Sequence, residues 1–155
     1  MGFQIAGLSP EPYLALYGLS DAALAEQGVL RRIAEVSPGY PDRIELRDAA
    51  QGESLLLLNH TYQPENTPYH GRHAIFVREG AQKAAEFIDQ VPDVMRRRTL
   101  SLRAYNAAHL IVEADLVAGA EADAAILRLL AAPHVAYLHA HYAKYGCFAA
   151  RIDRD

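Results

Sequence analysis

Strict alternation of apolar and polar residues is clearest in the last third of the chain. Residues 100–105 and 109–114 alternate on either side of Asn106-Ala107-Ala108, which predicts a hairpin with a three-residue loop. That register sets Tyr105 opposite His109, Arg103 opposite Ile111 and Ser101 opposite Glu113. Residues 135–142 and 147–152 repeat the pattern as a second hairpin, with His141 opposite Cys147 and Tyr137 opposite Arg151. Between the hairpins, the helical spacing of Ala122, Ile126, Leu129 and Leu130 predicts a helix over 119–132, ended by Pro133. Earlier, 3–7, 29–36, 43–46, 54–62 and 73–78 read as strands, and Leu55 to Leu58 suit burial on both faces. Ser20 caps a helix over 21–27 and Gly28 stops it, while Ala84, Ala85 and Ile88 mark another over 81–90. Strands outnumber helices and several neighbours form hairpins. The expected fold is a single α+β domain over residues 1–155, a largely antiparallel sheet with its helices packed on one face.

Successive strand residues point to opposite sides, so each hairpin divides into two faces. One set, with Leu100, Leu102, Ala104, Val112, Leu138, Ala140, Phe148 and Ile152, is apolar and is expected beneath the helices. The other gathers Ser101, Arg103, Tyr105, His109, Glu113, Tyr137, His139, His141, Cys147 and Arg151. Such a face is a solvated surface, a ligand pocket or a protein interface, and periodicity leaves all three open. Its content of Tyr, His and Cys suits partial burial better than a fully solvated sheet does.

Composition narrows the classes. The chain has 15 basic and 19 acidic residues, a net charge of −4 and only two lysines, Lys83 and Lys144. Without a clustered cationic surface, no nucleic-acid partner is expected. The run Arg96-Arg97-Arg98 follows a short helix start at 92–95, where the helix dipole favours cations. The most apolar stretch, 118–138, is interrupted by Glu121, Asp123 and Arg128, so no membrane span is expected. The N-terminus has neither a cationic start nor an apolar core of signal length, which makes a cytoplasmic location the expectation. A single cysteine, Cys147, excludes an intrachain disulfide and a cysteine-only zinc site. No Walker A, GxGxxG, HExxH or GxSxG motif is present, which removes ordinary NTPases, Rossmann dehydrogenases, zincins and α/β-hydrolases.

The candidate chemistry follows from the polar face. On a strand, His139 and His141 point the same way and can reach one ion, with Cys147, or His60, His73 or Asp42 from elsewhere, as a third ligand. A divalent metal such as zinc is open on these residues, but packing and pocket polarity are the favoured account of them. The same two histidines suit proton transfer, oriented by Glu113. Arg103 and Arg151 suit an anionic group, with Tyr137 on the strand and Tyr69 and His73 from the loop over 67–73 as further ligand contacts. His109 and His134 are expected to face solvent, and His60 to be structural.

Several segments are characteristic when taken together: Pro38-Gly39-Tyr40-Pro41-Asp42-Arg43, His73-Ala74-Ile75-Phe76-Val77-Arg78, Ser101-Leu102-Arg103-Ala104-Tyr105, and the ending from Tyr137 to Arg151. They resemble the bacterial family of domain of unknown function 1203, over essentially the whole chain. The resemblance implies a cytosolic bacterial single domain and no particular reaction. Two functional expectations stand. One is binding of, or catalysis on, a small anionic ligand around His139, His141, Arg103 and Arg151. The other is a non-enzymatic interaction domain, a homodimer that uses Tyr105 and Tyr137 at its interface.

Overall fold

A computed structural model describes residues 1–155. Its strands are β1 (Phe3–Ala6), β2 (Leu30–Ile33), β3 (Ser54–Gln63), β4 (Gly71–Arg78), β5 (Glu86–Ile88), β6 (Thr99–Tyr105), β7 (Ile111–Ala118), β8 (Tyr137–Tyr142) and β9 (Phe148–Arg154). The helices are α1 (Asp21–Glu26), α2 (Asp93–Arg96) and α3 (Ala122–Ala131), with 3-10 turns at Glu11–Leu16 and Gly119–Glu121. Six strands form an antiparallel sheet in the order β5-β1-β9-β8-β6-β7, and β2-β3-β4 form a second sheet. The α+β class therefore holds, with antiparallel pairing dominant. No helix is long and apolar enough to cross a membrane.

Contacts divide the chain into two compact units, one of Met1–Ala6, Thr61–His73 and Glu86–Asp155, the other of Gly7–His60 and Ala74–Ala85. The first holds the six-stranded sheet. Leu100, Leu102, Ala104, Leu138, Ala140 and Ile152 are buried there, and α3 packs against β6, β7 and β8. Burial of Ile126, Leu129 and Leu130 on α3 matches their helical spacing. The second unit is built on Tyr13, Leu24, Val29, Ile44, Leu56, Leu58, Ile75 and Val77. Within it the Ser20 hydroxyl accepts from the Ala23 backbone N–H, and Gly28 takes the left-handed backbone (φ 72°) expected of a helix stop.

Three expectations are corrected. Residues 81–90 contain no helix. Glu86–Ile88 is a strand paired with β1, bracketed by left-handed Gly80 and Asp89, and the Asp89 carboxylate accepts from the Phe3 N–H at 2.8 Å. Tertiary pairing has overridden helix propensity. Residues 43–46 form an irregular turn rather than a strand, with buried Leu46 at φ 51°. The third correction concerns register in both C-terminal hairpins. Asn106 Oδ1 accepts from the Ala108 and Leu110 N–H groups, and His109 takes φ 61°, so the loop is Ala107-Ala108-His109 and Tyr105 faces Ile111. Val112 is then bulged out, Glu113 lies opposite Ala104, and Arg103 lies opposite Ala114. In the second hairpin the Tyr142 N–H donates to the Cys147 carbonyl, His141 pairs with Phe148, Ala149 is the extra residue, and His139 pairs with Arg151.

The second unit also carries paired charges. Arg31 binds Glu79 and Asp21, Arg47 forks onto Glu53, and Arg78 forks onto Glu45. The Arg31 guanidinium, with Ser54 and the Gly18 N–H, holds the Glu79 carboxyl down at about 2, and Arg47 does the same for Glu53. Both folded values lie below the unfolded one, so this stabilisation is complete above pH 4.5 and is lost as pH falls toward 2. The urea midpoint should accordingly drop on acidification through that window. Glu79→Gln should flatten the drop while lowering the midpoint near neutrality; an unchanged pH profile would contradict the assignment.

Candidate functional site

Strand register assembles a ladder of large polar and aromatic side chains on one face of the six-stranded sheet. Directly opposed residues share a face, so three rows result. Tyr105 stands beside Tyr137; Arg103, His139 and Arg151 form the second row; Ser101, His141 and Phe148 form the third. The face is not a solvated surface. Tyr105, Tyr137, His139, His141 and Phe148 are all buried, His141 completely. Tyr62, from the end of β3, contributes to the burial: its ring stacks on Phe148 and meets His141 edge-on at 4.8 Å. A side chain at Gly71 would collide with the Tyr62 ring, so glycine there keeps this ring in place.

Two hydrogen-bond systems run through the cluster. In the first, His141 Nδ1 lies 3.0 Å from the Gly146 carbonyl oxygen, which can only accept. The Nδ1 proton is thereby required, and Nε2 presents its lone pair to Arg103 Nη1 at 3.4 Å. Arg103 also donates from Nε to Ser101 Oγ at 3.3 Å. These are neutral acceptors. Arg31, Arg47, Arg78, Arg96, Arg128 and Arg151 each hold a carboxylate, whereas half-buried Arg103 holds none.

The second system centres on Tyr137. Gln63 Nε2 donates to its hydroxyl oxygen at 3.0 Å, and the hydroxyl meets His109 Nδ1 at 2.7 Å. Gln63 donates to that oxygen and His109 Nδ1 is the hydroxyl's one other partner, so the phenolic proton is directed at His109 Nδ1, and the other imidazole nitrogen faces Glu65 at 4.0 Å. Arg151 lies 4.0 Å above the Tyr137 ring, its charge shared with Asp153 on its own strand. Burial raises the Tyr105 phenol above its usual range, against the opposing effects of Gln63 and Arg103.

Measured against expectation, His139, His141, Arg103, Tyr137 and Arg151 do share one face, and Tyr69 reaches it through an edge-on contact with Tyr105 at 6.3 Å. His73 stands half-buried on β4. Glu113 is corrected: the Val112 bulge turns it to the side of Ala104, exposed and away from the histidines it was expected to orient. Cys147 is corrected as well. It pairs with Tyr142 on the opposite face from His141, and no group of three His, Cys, Asp or Glu side chains is placed to hold a metal ion. Phe148, expected under the helices, takes its place beside His141. Tyr62, Gln63 and Glu65 were not anticipated, and His109, placed on this face but expected to face solvent, meets the Tyr137 hydroxyl instead. The first three are remote in sequence; His109 carried one available signal, since His tolerates the left-handed position that ends a three-residue hairpin loop.

Comparison with known proteins adds one finding. The sequence profile described as "Protein of unknown function (DUF1203)" matches residues 39–154. No curated protein and no solved structure matches the chain.

Phe148 fills the space between Tyr62 and the two histidines. Truncating Phe148 would open a cavity among Tyr62, His139 and His141, so Phe148→Ala should cost about 3–5 kcal/mol in denaturant unfolding. A loss below about 1 kcal/mol would show that Phe148 is not built into this cluster.

Proposed function

The chain belongs to the DUF1203 family of proteins of unknown function, and from that premise we propose that it binds a small anion at Arg103, on the sheet face lined by His139, His141 and Tyr105. The observation that supports the reading is the guanidinium of Arg103, half-buried and donating only to a serine hydroxyl and a neutral imidazole nitrogen. A cation in such surroundings keeps its desolvation cost without the usual compensation of a carboxylate. An incoming carboxylate or phosphate group supplies that compensation through charge-assisted, forked hydrogen bonds to the remaining guanidinium N–H groups. Surrounding rings lower the local dielectric, which strengthens the pair beyond its value in water. The Nδ1-protonated His141 contributes by keeping its lone pair on Arg103, so the guanidinium is oriented before the anion arrives. His139, between Arg103 and Arg151 in the same row, is the imidazole best set to meet the bound group and to exchange a proton with it. Arg151 has a smaller part than Arg103 because Asp153 already neutralises it.

Isothermal titration with inorganic phosphate and with malonate tests this directly. At least one should bind the wild type, and Arg103→Gln should weaken it by about ten- to a hundredfold, the worth of one lost charge-assisted interaction. Equal affinity in wild type and variant, or no binding of either anion to the wild type, would overturn the assignment.

A further inference from the structure

We propose that Tyr137 is a redox-active tyrosine: a one-electron oxidant takes an electron from its phenol while the phenolic proton passes to His109. This oxidation requires no anion at Arg103. A phenol that has lost an electron is a strong acid, and a charged radical in a buried, low-dielectric setting is costly. A buried tyrosine is therefore oxidised readily only where a base already accepts its hydroxyl proton. Tyr137 is 4% exposed, and its hydroxyl meets His109 Nδ1 at 2.7 Å. Tyr17 shows the contrast: its hydroxyl donates to the Ala81 carbonyl, which cannot take a proton.

The balance is complete within named groups. The oxidant gains one electron; the Tyr137 O–H bond breaks; the proton forms an N–H bond at His109 Nδ1; and a neutral phenoxyl radical remains. The Gln63 amide then donates to the radical oxygen, and the imidazolium faces the Glu65 carboxylate. Both His109 and Glu65 are partly solvent-exposed, so the proton can exchange with water and return when the radical is reduced. An electron path also exists. Tyr69, 39% exposed, meets buried Tyr105 edge-on at 6.3 Å, and Tyr105 stacks on Tyr137 with centroids 5.1 Å apart and planes 13° from parallel. Burial holds the Tyr105 proton in place, so the hole passes on and settles where a base receives the proton. The chain has no tryptophan to compete for it.

Azidyl radical generated by pulse radiolysis serves as the oxidant, with phenoxyl formation followed by its absorption and by electron paramagnetic resonance. The wild type should give a long-lived phenoxyl signal that Tyr137→Phe abolishes, since that change keeps the stacked ring and removes only the hydroxyl. Tyr145→Phe, which removes the hydroxyl of a tyrosine 76% exposed, should leave the signal unchanged. His109→Asn fits the left-handed backbone and can accept a hydrogen bond but cannot hold the proton, so radical formation at Tyr137 should slow about tenfold or more. A wild-type signal that persists in Tyr137→Phe, or a His109→Asn protein oxidised as fast as the wild type, would overturn the proposal. Tyr137→Phe decides the matter by itself should His109→Asn lose its fold.

Discussion

The closure of the β8–β9 hairpin is the constraint from which the site follows. Tyr142 and Cys147 pair across a turn that needs left-handed Gly146, which fixes His141 opposite Phe148 and leaves Ala149 as the extra residue. The Gly146 carbonyl then sits within reach of His141 Nδ1. Once that acceptor claims the Nδ1 proton, Nε2 has only a lone pair to offer, and Arg103 takes it. Arg103 is thus tied to a neutral ring, whereas Arg31, Arg47, Arg78, Arg96, Arg128 and Arg151 hold carboxylates. A turn, a bulge, a tautomer and an uncompensated cation form one causal chain.

Burial gives that chain its force. In open water, an arginine donating to an imidazole at 3.4 Å would mean little. Here the ring is fully buried and is met by Tyr62 and Phe148, so solvent supplies no substitute hydrogen bond at the imidazole. Tyr137 is buried too, stacked on Tyr105, and its hydroxyl is left with two partners, Gln63 and His109. The face is therefore a dry aromatic wall with two polar lines through it, ending at Arg103 and at His109.

What could be read from the sequence was local. Ser20 as a cap, Gly28 as a stop, burial of Leu55, Leu56 and Leu58 (Leu57 is half-buried) and the β6 and β8 strands depend on neighbours within a few residues, and the structure holds each of them. The placement of His139, His141, Arg103, Tyr137 and Arg151 on one face was legible for the same reason. The bulges were not: alternation carries no mark for one additional residue, and Val112 and Ala149 look like ordinary strand positions. Those two residues moved Glu113 and Phe148 to the other face, and Cys147 likewise stands away from the histidines. Segment 81–90 misled through its alanines, because pairing of Glu86–Ile88 with β1 is a contact across more than eighty residues. Gln63, Glu65 and Tyr62 reach the cluster from a distant stretch of chain, which no periodicity encodes.

Nitrogen-15 NMR of the His141 ring reads the linchpin of this arrangement without needing any ligand. Long-range correlations from the ring protons distinguish the two neutral tautomers from each other and from the imidazolium. Near neutral pH the expected spectrum is that of a neutral ring protonated at Nδ1, unchanged in Cys147→Ala and perturbed in Arg103→Gln. An imidazolium, or a ring protonated at Nε2, would mean that Arg103 does not donate to His141, and the uncompensated cation at the centre of the site would lose its basis.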